Sequence, residues 1–278
     1  LQGMVINSDF EEINARFAAN QKTLNKRLEL AYDFSYTSIN KAWANYDNLN
    51  QAIRANPTMP VKYDPEKDKD NPKFNKYGGY YESDNFYSWN PVANIMQSTK
   101  DQKDQVIMGS ARATLNIIEG LKFSTFYSIR NNHTWNGEYY LSTIRGDKFG
   151  EGKGGKAKQS YGTYTQQVVE NTLNYINEWN GHAFQAMLGQ SYQTELSHGF
   201  NAENTKLPLD DLLYNNMGMG EGKKEGADTY ANMGSYKYKD KLASFFARVM
   251  YNYDERYFLS ASVRFEGSSK FGPKADPL

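Results

Sequence analysis

The sequence has no cysteine among its 278 residues, which excludes disulfides and cysteine-ligated zinc or iron–sulfur sites. It also lacks an excess of charge, because 32 Lys and Arg residues balance 32 Asp and Glu residues. No electrostatic field therefore attracts nucleic acid, and no nucleic-acid partner is expected. No run approaches the roughly 18 consecutive apolar residues of a membrane helix, so any membrane crossing must be made by strands.

Aromatic residues are abundant in a chain that is otherwise polar. The sequence contains 22 Tyr, 15 Phe and 4 Trp, and its mean hydropathy is −0.80. Apolar side chains must therefore be concentrated in stripes. Tyrosine in such numbers suits an interface, since its ring is apolar and its hydroxyl prefers water.

Strict alternation of apolar and polar residues predicts β-strands in four pairs. Between Arg27 and Thr37, one face carries Leu28, Leu30, Tyr32, Phe34 and Tyr36. Similar alternation flanks the short turns at residues 118–120 and 254–255, and residues 13–20 precede the turn at residues 21–26. The pair around residues 178–181 is less regular, because residues 161–177 are polar on both faces except at Val169, Leu173 and Tyr175. We therefore predict eight strands in four hairpins, and the strand from Arg27 to Thr37 is by itself long enough to cross a bilayer.

Short turns alternate with long polar connections at residues 38–105, 135–160 and 197–239. Tight turns at one end and large loops at the other are typical of an outer-membrane β-barrel wall. We expect the short turns in the periplasm and the long loops outside the cell, with Lys153 and Lys223 accessible there and Asn180 and Asp254 protected. The first loop is predicted to contain one helix that ends before Asn56 and Pro57. Its apolar residues at helical spacing are expected to pack within the loop, and they are Trp43, Tyr46, Leu49 and Ile53.

Motifs for catalysis or metal binding are weak. Gly150, Gly152 and Gly155 match a dinucleotide fingerprint in spacing alone, and the lysine-rich segment 151–158 is predicted to be a mobile exposed loop. The three histidines have no companions at metal-ligand spacing. We expect no catalytic residue, no cofactor and no metal, and predict that the protein is not an enzyme.

The last hairpin resembles a known family. Residues 256–264 read RYFLSASVR and residues 266–273 read EGSSKFGP, and both are similar to the barrel signature of the SusC/RagA family of TonB-dependent outer-membrane transporters. Further similarity lies in AIRANPT at residues 52–58, NPVA at 90–93, ENTL at 170–173 and MLGQ at 187–190. The resemblance covers nearly the whole chain.

The resemblance implies an all-β, antiparallel transmembrane β-barrel of about 22 strands, of which this chain supplies about eight. It implies import of glycans or oligopeptides across the bacterial outer membrane, with a SusD-like surface lipoprotein and TonB as partners. The plug and the TonB box of the family have no counterpart within residues 1–278. We therefore expect a partial barrel domain with two unpaired strand edges.

Substrate contacts are expected from aromatics in the long loops, which could stack on sugar rings or peptide side chains. These residues are Tyr80, Tyr81, Trp89, Trp135, Tyr139 and Tyr140. The same side chains could instead pack the loops together or contact the lipoprotein. Two other classes of protein remain open from the residues alone: a soluble β-rich carbohydrate-binding module, and a closed eight-stranded outer-membrane enzyme acting on lipid.

Overall fold

The computed structural model describes residues 5–85, 88–146, 151–152, 154–222 and 232–271. It contains one antiparallel sheet in which eight strands follow one another in chain order, so the predicted four hairpins are confirmed. The strands are β1 (Asp9–Thr23), β2 (Leu28–Ala42), β3 (Ser98–Ile118), β4 (Leu121–Tyr140), β5 (Lys156–Trp179), β6 (His182–Thr205), β7 (Asn232–Tyr253) and β8 (Tyr257–Ser268).

Tight turns join the strands of each hairpin and require left-handed backbone. Asn180 and Gly181 have φ of 44° and 81°, and Asp254 and Glu255 have φ of 52° and 53°. Two central residues with positive φ match the twist of the flanking strands. At Gly120 (φ 77°) a Cβ atom would lie 2.2 Å from the carbonyl oxygen of Ile176, so only glycine fits there.

The strands are longer than the sequence predicted, and the connections are correspondingly shorter. The connections occupy residues 43–97, 141–155 and 206–231, in place of 38–105, 135–160 and 197–239. Strands β3 to β6 contain 20 to 24 residues each, about twice the 9–11 residues that cross a bilayer. Their outer halves carry polar residues on both faces, which removes the alternation that sequence patterns rely on.

The register separates the two faces of the sheet. One face, called the apolar face here, carries Phe17 beside Phe34, Tyr32 beside Ala111, Ala111 beside Tyr127, and Leu173 beside Leu188. It continues through Phe245 beside Phe265 and Ala247 beside Val263. The opposite face, called the polar face, carries the alternating Ser, Asn, Thr, Arg and Glu residues. No second sheet covers either face within the described residues.

Three helices lie in the first connection: α1 (Asp47–Arg54), α2 (Pro72–Lys76) and α3 (Pro91–Met96). The predicted helix corresponds to α1 and ends before Asn56, as expected. Its packing was predicted wrongly, since Leu49 and Ile53 are 49% and 84% exposed. Helices α2 and α3 were not predicted. Each is a short helix whose N-terminus is capped by an asparagine side chain, Asn71 in α2 and Asn90 in α3. Nowhere in the described ranges is a helix both long and apolar enough to cross a membrane.

Candidate functional site

Side chains of the polar face form hydrogen-bonded groups along the strands. Arg16 donates from Nε and Nη2 to the same oxygen of Asp33, at 3.0 and 2.6 Å. Gln166 and Gln193 both donate to Glu195 Oε1, at 3.3 and 2.7 Å. These groups are partly open to solvent and present amide, carboxylate and guanidinium atoms. Such a face suits a wet lumen through which a polar solute passes.

The first connection lies over the outer end of the polar face. Lys100 and Tyr140 belong to that face, and Lys100 Nζ lies 4.5 Å from the ring centroid of Trp43 and 5.5 Å from that of Tyr140. Tyr140 is buried with Ile144, and Trp89 of the first connection packs against the pair. The first connection is therefore anchored on the polar face of the sheet, with a small apolar core of its own.

A buried ion pair ties the first connection to the second. Arg145 Nη1 donates to Glu82 Oε2 at 3.0 Å, and the two side chains are 12% and 2% exposed. Arg145 also donates to the carbonyl oxygens of Ser88 and Asn85, both at 2.8 Å. Burial raises the pKa of Glu82, although the hydrogen bonds from Arg145 and from the Asn90 backbone N–H oppose that rise. Breaking such a pair would leave an uncompensated buried charge.

The carboxylate of Glu151 joins the same two connections through a second set of contacts, called the Glu151 clasp here. The carboxylate accepts hydrogen bonds from the Tyr77 hydroxyl (3.0 Å) and the Gly146 N–H (2.9 Å), and Lys76 Nζ lies 2.9 Å away. Partial burial would raise the pKa of Glu151, but the Gly146 N–H, Lys76 and Tyr77 outweigh it and lower the pKa overall. The ionised form of Glu151 is therefore the one that holds the clasp.

The third connection packs on the apolar face instead. It contains two short 3₁₀ helices, Asp210–Leu212 and Met217–Met219. Tyr139 is fully buried against Ala157 and Leu207, and its hydroxyl donates to Asp210 Oδ1 at 2.7 Å. Asp210 also accepts from the N–H and the hydroxyl of Ser142, at 3.0 and 2.8 Å. All three connections thus meet around residues 139–151.

A hollow of about 430 Å³ opens in the first connection between α1 and α3. Its lining combines hydrogen-bonding groups with aromatic rings and aliphatic side chains. It includes Gln51, Arg54, Met59, Val61, Tyr81 and Trp89. The Tyr81 ring lies 5.2 Å from that of Tyr63, and the Trp89 indole donates to Asn48 Oδ1 at 3.1 Å. A pocket of this kind fits a solute that combines polar groups with ring or apolar surfaces.

The structure does not bring the six predicted aromatics into one site. Tyr81 and Trp89 share the hollow, and Tyr80 lies near Lys62, whose Nζ is 5.2 Å from the ring centroid. The remaining three lie on strand β4: Tyr140 is 7% exposed on the polar face, while Trp135 and Tyr139 point to the apolar face. Tyr139 has no exposed surface for a ligand. Stacking of a substrate on the other five aromatics stays a prediction.

The segment 151–158 differs from the predicted mobile loop. Residues 156–158 begin strand β5, Ala157 is fully buried, and Lys156 and Lys158 pair with Glu203 and Glu138 at 3.1 and 3.5 Å. A strand, not a helix, follows Gly155, so the geometry of a phosphate-binding loop is not formed. Gly150, Lys153 and Lys223 lie outside the described residues.

The histidines lie on the apolar face, and two of them bind tyrosine hydroxyls: His133 Nδ1 lies 2.8 Å from Tyr161 Oη, and His182 Nδ1 lies 2.6 Å from Tyr251 Oη. Over the described part of the chain, no group of three or more His, Asp or Glu residues could hold a metal ion. The residues that organise the loops, Glu82, Arg145, Glu151 and Asp210, were not found from the sequence. Each of these residues bonds to a partner that is as many as 74 residues away in the sequence, so no local spacing could reveal the pairs.

Comparison with known proteins gives two sequence relatives from Formosa agariphila, although no family model matches the chain. TonB-dependent receptor P3 is 28% identical over 201 residues, covering 69% of this chain and 19% of the relative. TonB-dependent receptor P26 is 26% identical over 245 residues, covering 86% of this chain and 22% of the relative. The chain spans about a fifth of the length of these relatives.

Solved structures of the RagAB peptide importer share the fold. In the open-open state the TM-score is 0.75 with 15% sequence identity, over 96% of this chain and 28% of that one. A structure of the RagAB peptide transporter gives a TM-score of 0.71 with 16% identity. The chain therefore has the fold of an outer-membrane β-barrel wall, and both of its sequence relatives are described as TonB-dependent receptors. These similarities bear out the resemblance to SusC/RagA-type TonB-dependent transporters found in the sequence.

Proposed function

We propose that this chain forms part of an importer that carries glycans or oligopeptides across the outer membrane. Energy would come from TonB, and a SusD-like surface lipoprotein would cooperate at the loop side; both partners are inferred from the family resemblance. The fold shared with the RagAB peptide importer supports this proposal, as do relatives described as TonB-dependent receptors. The relatives' class gives no reason to expect catalysis.

One observation carries the proposal: the polar face and the hollow in the first connection lie on the same side of the wall. The polar networks at Asp33 and Glu195 line the strands, and the loop that contains the hollow rests on Lys100 and Tyr140 at the outer end of that face. A solute that leaves the hollow would meet amides, hydroxyls and carboxylates along its path. Neutral hydrogen-bonding groups of glycans and peptides match such a surface.

The soluble-module alternative requires a second layer over the apolar face. A sandwich buries that face against another sheet, whereas Phe34, Leu188, Phe245 and Phe265 are 47%, 59%, 62% and 69% exposed in the described sheet. Bands of exposed aromatic and aliphatic side chains along all eight strands are suited to lipid. The geometry therefore favours the membrane assignment.

Replacing Tyr81 in the complete transporter tests the proposed solute path. Tyr81→Ala removes a ring from the hollow, while Tyr46→Ala removes a 78% exposed ring from the same connection outside it. Loss of one aromatic contact of about 1.4 kcal/mol should weaken binding of a fluorescent oligopeptide or oligosaccharide about tenfold. Tyr46→Ala should leave binding unchanged. Equal binding by both variants and the unmodified transporter would contradict a solute path through this hollow.

A further inference from the structure

Three lysines follow one another on the apolar face of β7. Lys237, Lys239 and Lys241 alternate with residues of the polar face, and all three are exposed. Their cross-strand partners on β6 are His198, Leu196 and Thr194. Cations therefore occupy a surface whose continuation toward the short turn is apolar.

The lysines lie at the level where that apolar surface ends. Ala243, Phe245, Ala247 and Val249 follow on the same face toward the turn after Tyr253. Lys241 is 12 residues from Tyr253 along the strand. With a rise of about 3.3 Å per residue and a tilt of about 40°, it lies on the order of 30 Å from the turn end along the barrel axis. This places the lysines just beyond an apolar band about 25 Å tall.

These charges are not neutralised by the part of the wall that the structure describes. No Asp or Glu occupies the apolar face of β5, β6, β7 or β8, and no ion pair forms with the three lysines among the described residues. Lysines on the polar face differ: Lys41 pairs with Asp104 at 3.3 Å, and Lys156 with Glu203 at 3.1 Å. Since a bare row of like charges is unfavourable, an external anion is the natural counter-charge.

An open hollow of about 520 Å³ lies beside this row, lined by Tyr161, His198, Phe200, Ser235 and Lys237 among others. The Tyr161 and Phe200 ring centroids are 6.1 Å apart. Because Phe200 pairs with Ser235, which is farther from the short turn than Lys237, the hollow lies on the side of the row that points away from the apolar band. On the opposite side of the row, toward the short turn, Phe245 and Val249 are exposed, so a molecule with a phosphate headgroup and hydrocarbon chains matches both the lysines and this apolar surface.

We propose that this surface binds a phosphate-bearing lipid of the membrane that surrounds the barrel. Its phosphates contact the ammonium groups of Lys237, Lys239 and Lys241, and its hydrocarbon chains run from there toward the short turns over Phe245 and Val249. Lysines two positions apart on a strand are about 7 Å apart, so they can reach separate phosphates. The inference rests on the outer-membrane location and not on the solute that the transporter carries.

Lipid binding to the complete, detergent-purified transporter tests the proposal, with native mass spectrometry as the readout. The probes are diphosphoryl lipid A and the same lipid with its phosphates removed. Each lysine near an anionic membrane surface contributes roughly fivefold to affinity, so K237Q/K239Q/K241Q should weaken binding of the diphosphoryl form on the order of 100-fold. The dephosphorylated lipid should bind weakly to every variant, and K237R/K239R/K241R should retain binding.

The matched control is K62Q/K67Q/K69Q, which removes the same charge from exposed positions in the first connection. Retained lipid binding in the strand β7 triple variant, or equal loss in the control, would overturn the proposal. Displacement of the lipid by equimolar inorganic phosphate would also overturn it, since the site would then recognise a soluble anion. Solute uptake measured in the same variants reports on the proposed import separately from lipid binding.

Discussion

Adjacent alanines on β1 allow the two faces of the wall to be compared with identical substitutions. Ala18 lies on the polar face opposite Asp33, and Ala19 lies on the apolar face opposite Tyr32. Ala18→Arg and Ala19→Arg therefore add the same volume and charge to the same strand. Only the surroundings of the guanidinium differ between the two variants.

The expected costs follow from depth and from neighbours. Ala19 is four residues from Thr23, the last residue of β1, which places it on the order of 10 Å from the strand end along the barrel axis, near the middle of a 25 Å band. Arginine on the lipid face there should cost about 2–4 kcal/mol, equivalent to about 30-fold to several-hundred-fold in the folding equilibrium. At Ala18 the guanidinium faces Asp33 and should change stability by less than about 1 kcal/mol.

Urea unfolding of the complete transporter in lipid vesicles, followed by heat-modifiable electrophoresis, measures the two free energies. Ala19→Arg should lower the free energy of unfolding by at least about 2 kcal/mol relative to Ala18→Arg. Equal losses in the two variants would refute the assignment of the faces. A larger loss for Ala18→Arg would reverse it and place lipid against the polar networks.

Three other predictions test the loop layer, the strand packing and the orientation of the barrel. The lowered pKa of Glu151 reflects a stabilised carboxylate, so its contacts with residues 76 and 77 should persist above pH 4.5 and weaken as the pH falls through the folded-state pKa. Hydrogen exchange around residues 76–77 should therefore rise at low pH, and Glu151→Gln should show raised exchange already at neutral pH. In Gly189→Ala the new Cβ would lie 2.3 Å from the Phe246 ring and should destabilise the wall by about 1–3 kcal/mol, measured by urea unfolding, with partial relief by Phe246→Leu. In intact cells, a membrane-impermeant maleimide should label a cysteine at Lys62 and spare one at Asp254, and the opposite pattern would reverse the proposed orientation.

The hairpins could be predicted from the sequence because their determinants are local. Alternation over Leu28–Tyr36 fixes which residues share a face, and the register bears this out. Turn residues such as Asn180 and Gly181 tolerate the left-handed backbone that a two-residue connection needs. Membrane-facing strands add a strong constraint, since one whole face must be apolar.

The loop layer could not be predicted, for two physical reasons. Beyond the membrane both faces of a strand meet water or packed loops, so Trp135 and Tyr139 gave no sign that they lie on strand β4. The contacts that order the loops join residues far apart in sequence, as in the pairing of Glu82 with Arg145. A composition rich in Gly, Lys and Asp indicated mobile loops. Some of these charged residues, such as Lys76 and Asp210, instead form the contacts that hold the loops together.

The position of the second connection has a mechanical consequence. It holds the first connection through Arg145 and Glu151. Asp210 of the third connection accepts hydrogen bonds both from Tyr139 at the end of β4 and from Ser142 at the start of the second connection. An outward movement of the first connection must therefore break a buried ion pair, which costs several kcal/mol, or carry the second connection with it. Since the hydrogen bonds to Asp210 lie on the other face of the wall, they fix the base of the second connection on strand β4. A displacement of the hollow between α1 and α3 is thus expected to involve the first two connections together, with the upper end of β4 as the fixed point.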